Sequence, residues 1–248
     1  MKTVVGAVSK PSPEELVGMY ETFGDGQSKE IRHQMKDGAL HTRHVQALIE
    51  HRLPFQTETI DSQIVFWAGL YSVVFDIDAR KDLLALHWPE PSPDFWDVPM
   101  VKGLSEQVVQ NALKAWNKFP VWSYYDDLDV AIKKNDRHPS FGTYGIRFRA
   151  DPEGDDDQKS ISANQHKAKN PPTNGNTILE EQVLEPMYFL KSGGRHLNET
   201  MVNHAIGSRF ADGRVPRVDW RGKFYVNHGF HPADAGPGLR TRVAVLIF

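Results

Sequence analysis

The sequence predicts an α+β protein, and three observations carry that prediction. Two stretches, 104–119 and 177–190, place apolar residues at helical period. The last third, from Ala205 onward, sets strand-like segments between the turn dipeptides Asp212-Gly213 and Arg221-Gly222 and the breaker Gly236-Pro237-Gly238. A helix-start pattern near the N-terminus adds a small helical module.

That module occupies residues 1–55. Ser12 is placed to cap a helix, with Pro13 at its first position and Glu14 and Glu15 facing the positive end of the helix dipole. Leu16, Met19, Tyr20 and Phe23 follow near helical spacing, and Gly24 and Gly26 close the segment. A second helix is expected over 28–35 and a third after Thr42, with Val45, Leu48 and Ile49 as its apolar stripe. So short a module cannot bury a deep core, so it is expected to dock on the rest of the chain or on a partner.

Residues 56–142 read as a mixed α/β region. The β-branched and aromatic run over 64–77 suggests one or two strands. Four prolines in 88–99 argue for an ordered loop pinned by Trp88, Phe95 and Trp96. An amphipathic helix is predicted over 104–119, with Ser105 near its start and Leu104, Val108, Ala112, Ala115 and Phe119 on one side. A short strand is predicted at 121–125.

Residues 143–248 begin with a clear alternation, Tyr144, Ile146 and Phe148 on one side and Arg147 and Arg149 on the other. Residues 151–176 are the most polar stretch and read as a solvated excursion with one helical turn around 162–168. The helix at 177–190 buries Ile178, Leu179, Val183, Leu184 and Met187, and Pro186 is expected to kink or break it. Strands follow to the C-terminus.

Composition narrows the classes of function. With 40% hydrophobic and 25% charged residues over 248 positions, the chain can build a substantial core. A net charge of −3 supplies no global attraction to nucleic acid. No apolar run approaches a membrane span, and the opening MKTVVGAVSKPSP is too short and polar for a secretory core, so a cytoplasmic location is expected. The absence of cysteine removes disulfides, thiolate metal sites and cysteine nucleophiles.

Catalytic patterns are weak. His196, His204, His228 and His231, completed by Glu199 or Asp234, offer zinc-type donors, but without the tight spacing of a strong metal motif. Asp126, Asp127 and Asp129 suit a hard cation or a helix cap, the cap being favoured. Asp155, Asp156 and Asp157 lack calcium-loop alternation and read as a solvated acidic loop. No G-x-S-x-G elbow is present, and Gly142-Thr143-Tyr144-Gly145 and Ser192-Gly193-Gly194 lack phosphate-loop spacing. Arg147, Arg149, Arg240 and Arg242 form either a basic edge or pairs with nearby acids. Most of the six tryptophans are expected to be anchors, and Trp220, beside a turn, is the one assigned to ligand stacking.

The order strand, polar excursion, helix, then several strands over 143–248 resembles a C-type lectin-like domain. The tract from Gly207 to Val245, ending in Gly238-Leu239-Arg240, is similar to the C-terminal tracts of variable proteins of diversity-generating retroelements. The Gly-Gly-Ser-Trp signature of the related formylglycine-generating subgroup is absent, its nearest counterpart being Gly207-Ser208-Arg209. The resemblance implies a fold whose first and last strands pair and whose central strands display a ligand face. It also implies diversification by adenine substitution in a template, which yields residue types such as Asn, Asp, His, Tyr, Arg and Phe but not Trp or Lys. Asn227-His228-Gly229-Phe230-His231, Arg217, Asp219, Arg221, Tyr225 and Asp234 are of permitted type, whereas Trp220 and Lys223 would be scaffold.

The reading that follows is a non-catalytic protein binding an unknown protein or small ligand, with no cofactor, through Arg217, Asp219, Trp220, Arg221, Tyr225, Asn227, His228, Phe230, His231 and Asp234. Two alternatives stay open: a metal-dependent hydrolase using the C-terminal histidines, and a phage or mobile-element structural protein that binds through its N-terminal helices.

Overall fold

A computed structural model describes residues 59–169 and 174–247. The helical module expected over 11–53 and residues 170–173 of the expected polar excursion lie outside the described residues.

The first element corrects an expectation. Residues 64–77 belong to helix α1 (Ile60–Phe75), opened by a capping box in which Thr59 and Ser62 bond each other's backbone N–H. Gln63, Trp67, Leu70, Tyr71 and Val74 form its buried side. That spacing is helical, and it outweighs the β-branched composition that suggested strands. Asp76 ends the helix in the left-handed conformation, φ 55°. A short helix α2 (Arg80–Ala85) follows.

The proline-rich stretch also differs from expectation, because β1 (Phe95–Met100) runs through Pro99. The proline is tolerated because β1 is an edge strand, bonded only to β4 (Tyr144–Arg149), whose other neighbour is β10 (Val245–Leu246). Helix α3 (Glu106–Trp116) is capped by Ser105, the residue expected near its start, but its buried side is Val109 and Leu113, and Val108 is exposed. After β2 (Val121–Ser123), Asp127 caps the one-turn helix α4 (Leu128–Ala131), and β3 (Ile132–Asn135) pairs antiparallel with β6 (Ser208–Phe210).

Within the described part of the polar stretch 151–176, Asp156, Asp157, Lys159 and Ser160 are exposed as expected, but Glu153 and Asp155 tie it to the body. Asp155 is buried, accepts the Val243 N–H at 2.7 Å and donates its own N–H to the Thr241 carbonyl. Burial raises its carboxyl above the usual range, against the Val243 N–H and the nearby Arg149 and Arg242. The Glu153 carboxylate accepts the N–H groups of Thr200 and Met201, and helix α5 (Ala163–Lys169) replaces the expected single turn. Glu153 and Asp155 bond backbone of distant segments, so at these two positions polarity did not signal a free surface.

Helix α6 (Ile178–Lys191) begins at a Thr177–Glu180 capping box and continues through Pro186. Every residue from Ile178 to Tyr188 is buried, including Glu180, Glu181, Gln182 and Glu185. A helix enclosed on all sides is held by its surroundings, which offsets the lost hydrogen bond at proline.

The largest sheet has the order β2-β8-β7-β5-β9, with β5 (Val202–His204), β7 (Val215–Trp220), β8 (Phe224–Phe230) and β9 (Leu239–Arg240). The expected turns form: Gly213 and Gly222 take φ of 82° and 72° at the β6–β7 and β7–β8 connections. The expected terminal strand is divided, β9 joining this sheet and β10 (Val245–Leu246) pairing antiparallel with β4. Segments 95–135 and 144–246 thus share all three sheets and one apolar core. The architecture is α+β.

Candidate binding face

Pairing fixes which side chains share a face of the large sheet. Arg217 is opposite Asn227 and His204, while Asp219 is opposite Tyr225, itself opposite Trp122 on β2. On the other face Val218 is opposite Val226 and Asn203, and Trp220 is opposite Phe224. The second face enters the apolar core; the first is the outer face.

Between Arg217↔Asn227 and Val215↔Phe230 the register shifts, so His228 and Gly229 together oppose Pro216. His228 therefore stays near the outer side chains, its ring 4.9 Å from Tyr124, with Arg214 Nη1 3.2 Å from Nδ1 and Asp212 Oδ2 3.6 Å from Nε2. Gly229 is fixed, because a Cβ there would meet the Val215 carbonyl oxygen at 1.7 Å. In the expected display stretch, then, Gly229 belongs to the frame.

The ten expected residues separate into groups. Tyr225, Asn227, His228 and Arg217 share the outer face and are partly exposed. Phe230 carries the Arg217 guanidinium 4.4 Å above its ring. His231 and Asp234 are exposed on the following turn, where Asp234 accepts the His231 N–H. Arg221 is exposed on the hairpin loop and pairs with Asp219. Two residues depart from expectation. Asp219 points to the outer side but is only 2% exposed, so it anchors Arg221 instead of presenting a free carboxylate. Trp220 lies on the inner face, stacked on His196 with centroids 3.3 Å apart, because period two gives it the opposite side from Arg217 and Asp219.

The sequence reading missed the aromatics that β2 delivers. Trp122 and Tyr124 are 36% and 55% exposed, and Trp122 packs 5.2 Å from Tyr225. Their contribution depends on parallel pairing of β2 with β8, a contact between distant segments that left no local signal beyond the strand pattern itself.

Behind the face lies a buried polar lattice. Asn203, on the inner side of β5, accepts from Asn176 Nδ2 at 2.8 Å, and that amide also reaches Glu181 Oε1 at 2.8 Å. The Thr241 hydroxyl stands 2.8 Å from both Asn176 Oδ1 and the His204 carbonyl. Arg242 Nε lies 3.1 Å from Glu181 Oε1, with neither side chain exposed, and its Nη2 donates to the Pro152 carbonyl and Asn198. Burial raises the Glu181 carboxyl, and Arg242 opposes that shift. The four C-terminal arginines are accordingly not a basic edge: Arg147 pairs with Asp97, Arg149 with Asp157, Arg240 with Asp156 and Arg242 with Glu181.

The histidines of the hydrolase alternative are dispersed. His196 is on the inner side with Nδ1 2.6 Å from Glu185, while His228 and His231 occupy the outer side and its loop. His204 is 2% exposed, and burial pushes its imidazole down to about 4, with Arg217 and Arg209 adding and Asp234 opposing. Among the described residues no three His, Asp or Glu side chains converge to hold a metal ion. No helix among them is long and apolar enough to cross a membrane. No protein-family model, curated protein or solved structure matches the chain.

Proposed function

We propose that this chain is a recognition protein of the C-type lectin-like, retroelement-diversified kind, binding a protein or small ligand through the outer side of β7 and β8. The observation that carries this reading is the contrast between the two faces of one hairpin. Tyr225, Asn227, His228 and Arg217 are partly exposed, whereas Phe224, Val226 and Val218 on the opposite side are buried. Exchange of an outer side chain changes surface chemistry while the ladder and the lattice behind it keep the backbone in place. Trp122, Tyr124 and Tyr225 add aromatic area of the kind that anchors interfaces. The pairing of β4 with the final strand supports the same fold assignment.

The reading is tested by deep-sequencing the 3′ coding region in a population of cells, together with its genomic neighbourhood. A nearby reverse transcriptase and a near-copy template are expected, with mismatches at template adenines concentrated in the codons of Tyr225, Asn227 and His228. Mismatches spread equally over Val226, Gly229 and Asn203 would overturn it, as would an invariant region without a template.

A further inference from the structure

Strands β3 and β6 set two cations directly opposite each other. Lys134 pairs in register with Arg209. Opposite positions of an antiparallel pair bring their Cβ atoms to about 5 Å on one face, where like charges repel. A third cation arrives from α5. Burial and the charges of Arg209 and Lys134 lower the Lys167 amine, against Asp136. Three separate elements thus deliver positive charge to one place.

Arg209 is anchored on one side only. Its Nη1 donates to the carbonyls of Ile206 and Ser208 at 2.7 and 2.6 Å, which leaves the Nε–Nη2 edge without a partner among the described residues. Elsewhere in the chain that edge takes a carboxylate. Arg147 Nε and Nη2 reach Asp97 at 2.6 and 2.8 Å, and those of Arg137 reach Glu180 at 3.0 and 2.9 Å. Arg217 Nε is sealed from solvent, whereas Nε and Nη2 of Arg209 are open to it. Lys134 and Lys167 are exposed, and neither they nor Arg209 enter an ion pair among the described residues. Asp136, the acid that acts on both Arg209 and Lys167, pairs with neither.

We propose that Lys134, Lys167 and Arg209 bind a phosphate group, its oxygens meeting the free edge of Arg209 and the two ammonium groups. Three cations against Asp136 leave two positive charges, which a phosphate carrying about two negative charges cancels. A carboxylate has two oxygens, both of which the arginine edge would take, whereas a phosphate has oxygens left for the lysines. The site uses β3, β6 and α5 and is independent of the recognition reading of β7 and β8. Inorganic phosphate and a phosphate monoester share this chemistry.

The test follows the backbone amide resonances of Lys134, Lys167 and Arg209 in the full chain by NMR, near pH 7.5 and at constant ionic strength. The titrants are inorganic phosphate, phosphoserine and dimethyl phosphate. At least one of the first two is expected to shift these resonances saturably, and the tighter of them separates a free anion from an esterified one. Dimethyl phosphate has one charge and two blocked oxygens, and is expected to bind more weakly by about tenfold or more. Replacing both lysines, Lys134→Gln with Lys167→Gln, is expected to weaken the tighter dianion by about tenfold or more. The diester comparison uses the unaltered protein, so it does not depend on folding of the variant. No saturable shift with either dianion, a diester as tight as the better dianion, or a double variant that binds like the unaltered chain overturns the assignment. The outer-face reading keeps its own test in each case.

Discussion

Arg242 and Glu181 meet 3.1 Å apart with neither side chain reaching solvent, one from the segment after β9 and the other from the first turns of α6. An enclosed pair of this kind contributes little net stability when whole, since both charges were taken out of water. Its disruption is costly because it strands the remaining charge. Through Asn176 the pair extends to Asn203 on β5, so the lattice joins the enclosed helix to the strand beside β7.

Arg242→Met should therefore destabilise the chain by about 3–5 kcal/mol near pH 8, measured by urea unfolding. The Glu181 carboxyl, already raised by burial, rises further without Arg242. A raised carboxyl makes the folded state bind more protons than the unfolded one above about pH 4.5, so stability falls as pH rises through that window. The deficit of Arg242→Met should consequently be smaller at pH 5 than at pH 8.

The two tryptophans near the hairpin should behave oppositely. Trp220→Ala removes the surface stacked on His196 and packed against Phe119, at a cost of about 3–5 kcal/mol. Trp122→Ala removes a more exposed ring, and thermal unfolding should register about 1 kcal/mol or less.

Gly229→Ala should be among the most damaging single-methyl additions in the hairpin. The new Cβ would fall 1.7 Å from backbone at Val215, which no side-chain rotation relieves. Calorimetry should show a loss of about 3 kcal/mol or more, where Asn227→Ala changes little.

His204 predicts an acid-sensitive contribution. Burial holds its imidazole at about 4 when folded, against about 6.5 when unfolded, with Arg217 and Arg209 also disfavouring protonation and Asp234 favouring it. The unfolded state thus binds more protons between those values, and stability is full above about pH 6.5 and lost as pH falls toward 4. The loss is on the order of 3 kcal/mol. His204→Gln should flatten this part of the stability profile, so the wild-type advantage over the variant should shrink between pH 7 and pH 4. A constant difference across that range would remove His204 as the cause.

Local signals carried the parts of the fold that were legible. Ser105 near the start of α3, the helical period of α6, the alternation along β4 and the glycines at 213 and 222 each write their own element. Helix α1 was misread because Ile64, Val65, Val73 and Val74 favour strands, while the burial of Gln63, Trp67, Leu70 and Val74 follows helical period. The outer positions of Arg217, Asn227 and Tyr225 were recoverable, and period two also separates Trp220 from Arg217 and Asp219. The enclosure of Arg242, the engagement of Asp155 and the arrival of Trp122 beside Tyr225 depend on contacts between distant segments. No residue spacing announces them.

The central claim is that side chains on the outer hairpin surface are exchangeable over a backbone fixed from behind. It is tested most directly by the unfolding free energy of a chain carrying Tyr225→Ser, Asn227→Tyr and His228→Asp together. The account predicts a change within about 1 kcal/mol of the unaltered protein, with the cooperative transition retained. A loss of about 3 kcal/mol or more would contradict it, since those side chains would then be holding the fold together.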